Sequence, residues 1–135
     1  MTIPVELAAL HERIEEYGER GYLLTAGADG RPHSVAVELK WVDDLLEAGP
    51  GNTTVANAAA RPLVALLWPP AELGGYSLIV DADVVAAVAS GEGDNSVLMR
   101  PTKAVLHRPA AGEEAGESQA PGCVHDCIPV YQQVS

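Results

Sequence analysis

The stretch YLLTAGADGRPHSVAVEL, Tyr22 to Leu39, decides the fold. Tyr22 to Ala26 is a short β-type run. Ala28 to Pro32 is a turn, and its Asp29-Gly30 pair is a strong hairpin signal because both residues tolerate the left-handed backbone of a tight turn. His33 to Val42 then alternates, with Val35, Val37, Leu39 and Trp41 on one face and Ser34, Glu38 and Lys40 mostly on the other. Asp43-Asp44 makes a second turn, and Leu45 to Ala48 a short return strand. The spacing predicts a three-stranded meander.

Before this core, Leu7, Leu10, Ile14 and Tyr17 recur at helical spacing opposite a run of Glu and Arg, which predicts an amphipathic helix. Pro4 suits its first turn, with Thr2 as N-cap, and Gly18 and Gly21 end it. After the core, GPGNTTVANAAARP (Gly49 to Pro62) predicts a helix from Thr53 or Thr54 to Ala60. It stops at Arg61 because the residue before a proline avoids helical backbone. Leu63 to Trp68, Tyr76 to Val88 and Ser96 to Arg108 read as strands, the last bent or broken at Pro101. The expected architecture is mostly β: six short strands in a mostly antiparallel barrel, one N-terminal helix, and a short helix between strands 3 and 4.

The 135 residues suit one domain, and we assign it to residues 1–110. Residues 111–122 form a flexible acidic connector rich in Pro, Gly, Ala and Glu. Residues 123–135, CVHDCIPVYQQVS, turn apolar again and are expected to dock. The net charge of −11 argues against nucleic acid as a partner, since such binding runs on Lys and Arg neutralising phosphates. No apolar run is long enough for a membrane span, and the N-terminus lacks a signal-peptide pattern, so the expected compartment is the cytoplasm.

The order of pieces resembles the FMN-binding split-barrel proteins, the pyridoxamine 5′-phosphate oxidase-like superfamily. The carrying features are an apolar strand, a turn ending Gly-Arg-Pro-His, a second apolar strand, and a short third strand. A Gly/Thr/Asn-containing helix then ends before a proline, and LVALLWPP begins the next strand. YSLIVDADVVAAV resembles a strand that often carries Asp-Gly-Ala, here Asp81-Ala82-Asp83. VLMRPTKAVLHRPA resembles the closing strand of actinobacterial-looking members. The resemblance spans residues 17 to 110. It implies a six-stranded antiparallel split β-barrel of Greek-key type that forms a homodimer and holds FMN, or a deazaflavin coenzyme, near the dimer interface. It also implies an oxidoreductase acting on a small-molecule redox substrate, with a non-catalytic binding or sensing protein as the alternative.

The resemblance places the cofactor phosphate at Gly49 to Thr54, usually with a Lys or Arg close by, and none stands here between Lys40 and Arg61. The residues themselves leave two readings. A helix N-terminus offers unpaired N–H groups to a phosphate, with Thr hydroxyls adding donors, which nominates Gly51, Asn52, Thr53, Thr54 and, one turn on, Asn57. Alternatively, Asn52 or Thr53 simply caps the helix. Arg61 either supplies the missing charge or is a solvated helix-end cation. The resemblance runs the strand of His33 under the flavin ring; the plainer reading is hairpin chemistry. Arg100, Lys103 and Arg108 put three of the eight Lys and Arg in the last strand, so Arg100 joins the candidates, against the alternative of an edge strand kept soluble by charge. Trp41, Trp68 and Tyr76 are expected chiefly in the core. Cys123, His125, Asp126 and Cys127 read first as a docked tail with buried thiols, then as a redox pair, and last as a metal site. No residue is nominated as catalytic.

Overall fold

The structure, a computed structural model, describes residues 1–90 and 94–110. The connector, the tail and their two cysteines lie outside the described residues, as does most of the Gly-rich turn after Ser90.

Eight strands and two helices follow in chain order: β1 (Thr2–Val5), α1 (Leu10–Tyr17), β2 (Arg20–Ala26), β3 (Pro32–Glu38), β4 (Lys40–Val42), β5 (Leu45–Ala48), α2 (Asn52–Ala60), β6 (Leu63–Trp68), β7 (Ser77–Val88) and β8 (Ser96–His107). A 3-10 turn, Leu7–Ala9, precedes α1. The strands form one antiparallel sheet in the order β3-β2-β6-β7-β8-β5-β4, with β1 also on β8. β3 and β4 stand at opposite ends of this order, yet Leu39 alone separates them in the chain. Two sheet ends joined by one residue must lie side by side, so the sheet curls into a half-barrel. This is the expected split-barrel, Greek-key architecture.

Leu39 is buried at the seam, and its N–H donates to the Glu19 carbonyl at 2.7 Å. Gly21 makes the closure fit: a Cβ there would stand 3.1 Å from the Leu67 carbonyl oxygen, 3.1 Å from the Trp68 ring and 3.3 Å from Leu39.

The inward positions of each strand build the core, as the period of two requires. Leu23, Leu46, Leu66, Leu78, Val80, Val97 and Met99 are fully buried, with Trp68 and Leu10 at 1% exposure. Helix α1 buries Leu10 and Ile14. It is tied down at its end, where Trp68 Nε1 donates to the Gly18 carbonyl at 3.0 Å and the Tyr17 hydroxyl donates to the Tyr76 carbonyl at 2.8 Å.

Three local expectations need correction. Thr2 to Val5 is a strand, not the start of a helix, because the second half of β8 leaves an open edge that these residues pair with, Thr2 opposite His107 and Val5 opposite Ala104. A ladder partner overrides a helical pattern that begins at Pro4. The run His33 to Val42 is two strands, broken at Leu39 where the chain passes from one sheet end to the other. The last strand is no edge: β7 pairs β8 along its length, while β5 and then β1 cover its other side. No described helix is long and apolar enough to cross a membrane.

Candidate functional site

Helix α2 carries Thr54, Asn57 and Arg61 on one face, at spacings of three and four. That face meets β2 and β3 where Thr25 and His33 are directly opposite cross-strand partners. Thr25, Thr54 and Asn57 are the buried polar residues among the described ones, at 4%, 2% and 7% exposure. Burying such groups is costly unless each finds a partner, and here each does. His33 Nε2 and Thr54 Oγ1 are 3.1 Å apart, and Asn57 Nδ2 donates to Thr25 Oγ1 at 3.1 Å. Arg61 closes the chain of contacts, donating from one guanidinium nitrogen to Asn57 Oδ1 at 3.3 Å and from Nε to the Ala26 carbonyl at 2.7 Å.

The start of α2 is different. Its N-cap is Gly51, and no side chain caps it; the first helical bond is Val55 N–H to the Gly51 carbonyl, at 3.1 Å. Neither Asn52 nor Thr53 acts as the cap. Asn52 lies inside the helix, and its Oδ1 accepts from Asn95 Nδ2 at 2.9 Å, while the same amide nitrogen donates to the Pro50 carbonyl, also at 2.9 Å. The N–H groups of Asn52, Thr53 and Thr54 therefore have no acceptor among the described residues, and Asn52 and Thr53 are exposed. Beside this end runs an open groove of about 540 Å³ at the seam between the sheet ends, lined by Ala36 to Glu38, Lys40, Glu47 to Gly49 and Asp94 to Ser96. Lys40 is its cation; Glu38, Glu47 and Asp94 oppose it, and Glu47 accepts from Ser96 Oγ at 3.0 Å.

The candidates thus fall into three places. Gly51, Asn52 and Thr53 form the helix start. His33, Thr54, Asn57 and Arg61 form the buried ladder. Arg61 sits at the opposite end of a nine-residue helix from Gly51, about 15 Å away at the rise of an α-helix. Arg100 lines a separate cavity with Trp41, His11, Asp43 and Asp44. Its neighbours in the basic run are also apart: His107 pairs with Thr2 at 3.2 Å, and Arg108 lies 4.6 Å over the Tyr76 ring.

Sequence reading missed Thr25, Lys40 and Asn95. Thr25 left a signal, since it is the polar residue on the inward parity of β2 after Gly21 and Leu23. Lys40 left a signal too, since the Asp43-Asp44 hairpin sets it opposite Glu47, two residues before Gly49; Asn95 left none, since only the pairing of β8 with β5 brings it to the start of α2. Among the described residues no three His, Cys, Asp or Glu side chains gather in a way that would hold a metal ion.

No family model matches the chain. Two uncharacterized proteins, one from Mycobacterium bovis and one from Mycobacterium tuberculosis, are 37% identical to it over 135 residues, covering 92% of this chain and 93% of theirs. Among solved structures, an FMN-binding protein from Syntrophomonas wolfei superposes with a TM-score of 0.61 at 12% identity, over 78% of this chain and 88% of its own. An F420 reductase superposes with a TM-score of 0.55 at 20% identity, over 67% of this chain and 94% of its own. An FAD-binding protein from Mycobacterium smegmatis gives 0.56 at 13% identity, over 80% and 100%.

Proposed function

We propose that this chain, which belongs to one family with the two mycobacterial proteins and has the FMN-binding split-barrel fold of the pyridoxamine 5′-phosphate oxidase-like superfamily, is a flavin- or deazaflavin-binding oxidoreductase of the cytoplasm. The observation that carries this reading is the uncapped start of α2 beside an open groove. Three backbone N–H groups without acceptors among the described residues, at the positive end of a helix dipole, suit a phosphate. The donors present therefore fit the phosphate end of such a cofactor.

The N–H groups of Asn52, Thr53 and Thr54 would hold that phosphate, with the exposed Thr53 hydroxyl as a further donor and Lys40 as the cation of the groove. Arg61 does not reach the phosphate in this reading. It holds the far end of α2 on β2 and so fixes where the helix start points. His33, bonded to Thr54, fixes the first turn against β3. When bound, the isoalloxazine or deazaflavin ring supplies the electron-pair chemistry.

We further propose that two copies pair through the outer face of the sheet to complete the site. Tyr22, opposite Leu67 on that face, is 40% exposed and Leu63 on the same face 74%. Leu24 and Ala65 pair between them, and Asp81 and Asp83 stand directly opposite Ala65 and Leu63, so an apolar band is flanked by two carboxylates. The substrate would be a small redox-active molecule.

A second reading has its own observation. Glu38, Glu47 and Asp94 outnumber Lys40 in the groove, and Arg61 is engaged elsewhere. This arrangement favours a split-barrel binding or sensing protein whose flavin site has degraded. Visible absorption of the purified protein, followed by titration with FMN and with the deazaflavin, separates the two. Binding of either at about 50 µM or below, weakened by Lys40→Gln, supports the first; binding of neither at that concentration leaves the second.

A further inference from the structure

We propose that the cavity beneath the 3-10 turn binds a small zwitterion, a molecule with a primary amine at one end and a carboxylate at the other. This site is separate from the α2 groove and needs no flavin. Its volume is about 330 Å³, at the lower end of the range of ligand pockets. The walls are Leu7 and Ala8 from the 3-10 turn, Leu10 and His11 of α1, Trp41, the Asp43-Asp44 turn, and Arg100 with Pro101 of β8.

Three independent features meet here. The first is Trp41 Nε1, a buried side-chain donor with no hydrogen-bond partner and the one such atom among the described residues. A buried N–H left unpaired costs its full desolvation, about 1–3 kcal/mol, so an acceptor is missing from this place. Trp68, the other tryptophan, has its N–H satisfied by Gly18. The second is Asp43, the one non-glycine residue among those described with positive φ, at 57°. The β4–β5 turn thereby sets two adjacent carboxylates at the cavity rim. The third is the set of charges facing the cavity. Among the described residues, the side chains of Arg100, Asp43 and Asp44 make no ion pair or hydrogen bond. A cation and two anions share one cavity without neutralising one another.

The ligand chemistry follows from complementarity. Arg100 presents a planar fork suited to a carboxylate. That carboxylate would also be the acceptor Trp41 lacks. The two aspartates suit an ammonium, and Leu7, Ala8 and Pro101 suit a short apolar side chain. The His11 ring stands 4.7 Å from the Trp41 ring, tilted by 33°. Its one ionic contact among the described residues is an exposed pair with Glu15 at 3.6 Å, and since Trp41 Nε1 is buried the proposal requires a side chain at the cavity wall to move off the indole edge. A simple anion would face two carboxylates, and a simple amine would leave the indole and Arg100 unpaired.

The test is the two-tryptophan indole N–H spectrum of the full chain, titrated with L-leucine, with isovalerate (carboxylate alone) and with isoamylamine (amine alone). The expected result is a saturable shift of the Trp41 indole resonance with L-leucine while that of Trp68 stays in place. The two half-ligands bind at least about tenfold more weakly, as expected when one charge-assisted contact is lost. Arg100→Gln, and Asp43→Asn combined with Asp44→Asn, each weaken L-leucine by at least about tenfold. Asn tolerates positive φ, so the turn is kept, and an unmoved Trp68 resonance reports that each variant is folded. The proposal is overturned by no saturable shift up to about 10 mM, by isovalerate or isoamylamine matching L-leucine, or by a folded Arg100→Gln variant that binds as the parent does.

Discussion

Arg61 donates from Nε to the carbonyl oxygen of Ala26 at 2.7 Å, joining the end of α2 to the end of β2 across 35 residues of sequence. The same guanidinium reaches Asn57 one turn back. An arginine engaged in this way is a clamp and not a free helix-end cation. Arg61→Ala should lower stability by about 1–3 kcal/mol, the cost of charge-assisted bonds lost with their acceptors left behind. Arg61→Lys should recover less than half of that loss, because an ammonium cannot serve both acceptors in the fork geometry. Urea unfolding with an unchanged slope checks both.

The Asn57–Thr25 bond lies wholly in the interior, so removing one partner strands the other. Asn57→Ala and Thr25→Val should each cost about 1–3 kcal/mol, the second by orphaning the Asn57 amide. The double variant should cost less than the sum of the two, with a coupling of about 0.5–3 kcal/mol. A double-mutant cycle in urea measures it, and strict additivity would show that the bond contributes nothing.

Gly21 stands where the rolled sheet closes. Gly21→Ala places a methyl group 3.1 Å from the Leu67 carbonyl and the Trp68 ring. Neither backbone nor a packed indole yields cheaply, so destabilisation by about 1–3 kcal/mol is expected. Gly51→Ala, with nothing within 4 Å of the added carbon, is the control and should change stability far less. Thermal melts of the two variants give the comparison.

Burial pushes the Tyr17 phenol above its ordinary value of 10.0; Arg13 nearby pulls it down and Glu16 adds to the rise. The folded state therefore holds this proton more tightly than the unfolded chain. The resulting stability is fully present below the ordinary phenol pKa of about 10 and is lost as pH rises through the higher folded value. Tyr17→Phe should remove that alkaline loss while leaving a pH-independent deficit from the missing bond to the Tyr76 carbonyl. Urea midpoints measured from pH 8 to about pH 11 for both proteins decide it.

Leu63 is 74% exposed on the outer face of the sheet. Leu63→Glu should convert the proposed dimer to a monomer, read by light scattering, and weaken any flavin binding with it if the site needs both copies. A monomeric parent protein would reject this surface as the pairing face.

Much of this was legible along the chain. Strand β6 falls where the apolar run after Pro62 predicts it, at Leu63–Trp68, and the Asp29-Gly30 turn pairs β2 with β3 in the expected hairpin. Thr54 and Asn57 were legible as candidates because they fall at the start of a helix and one turn into it. What they touch was not legible, since their partners Thr25 and His33 lie 32 and 21 residues away. The opening helix failed for the same kind of reason: Thr2 to Val5 has a helical pattern nearby but a strand edge to fill 105 residues later, at His107.

By itself the sequence determined what period and turn chemistry can determine: a β-rich chain, a hairpin at Asp29-Gly30, a helix stopped before Pro62, and the order of pieces that marks a split barrel. These are local facts, set by backbone sterics within a few residues. Only the tertiary structure decided where the charges and polar groups meet. Arg61 turns to Ala26 instead of the helix start, and Arg100 faces Trp41 and Asp43. Each of these depends on which distant strands and helices come to adjoin, β8 beside β5 and α2 over β2, and no pattern within a single strand encodes that choice.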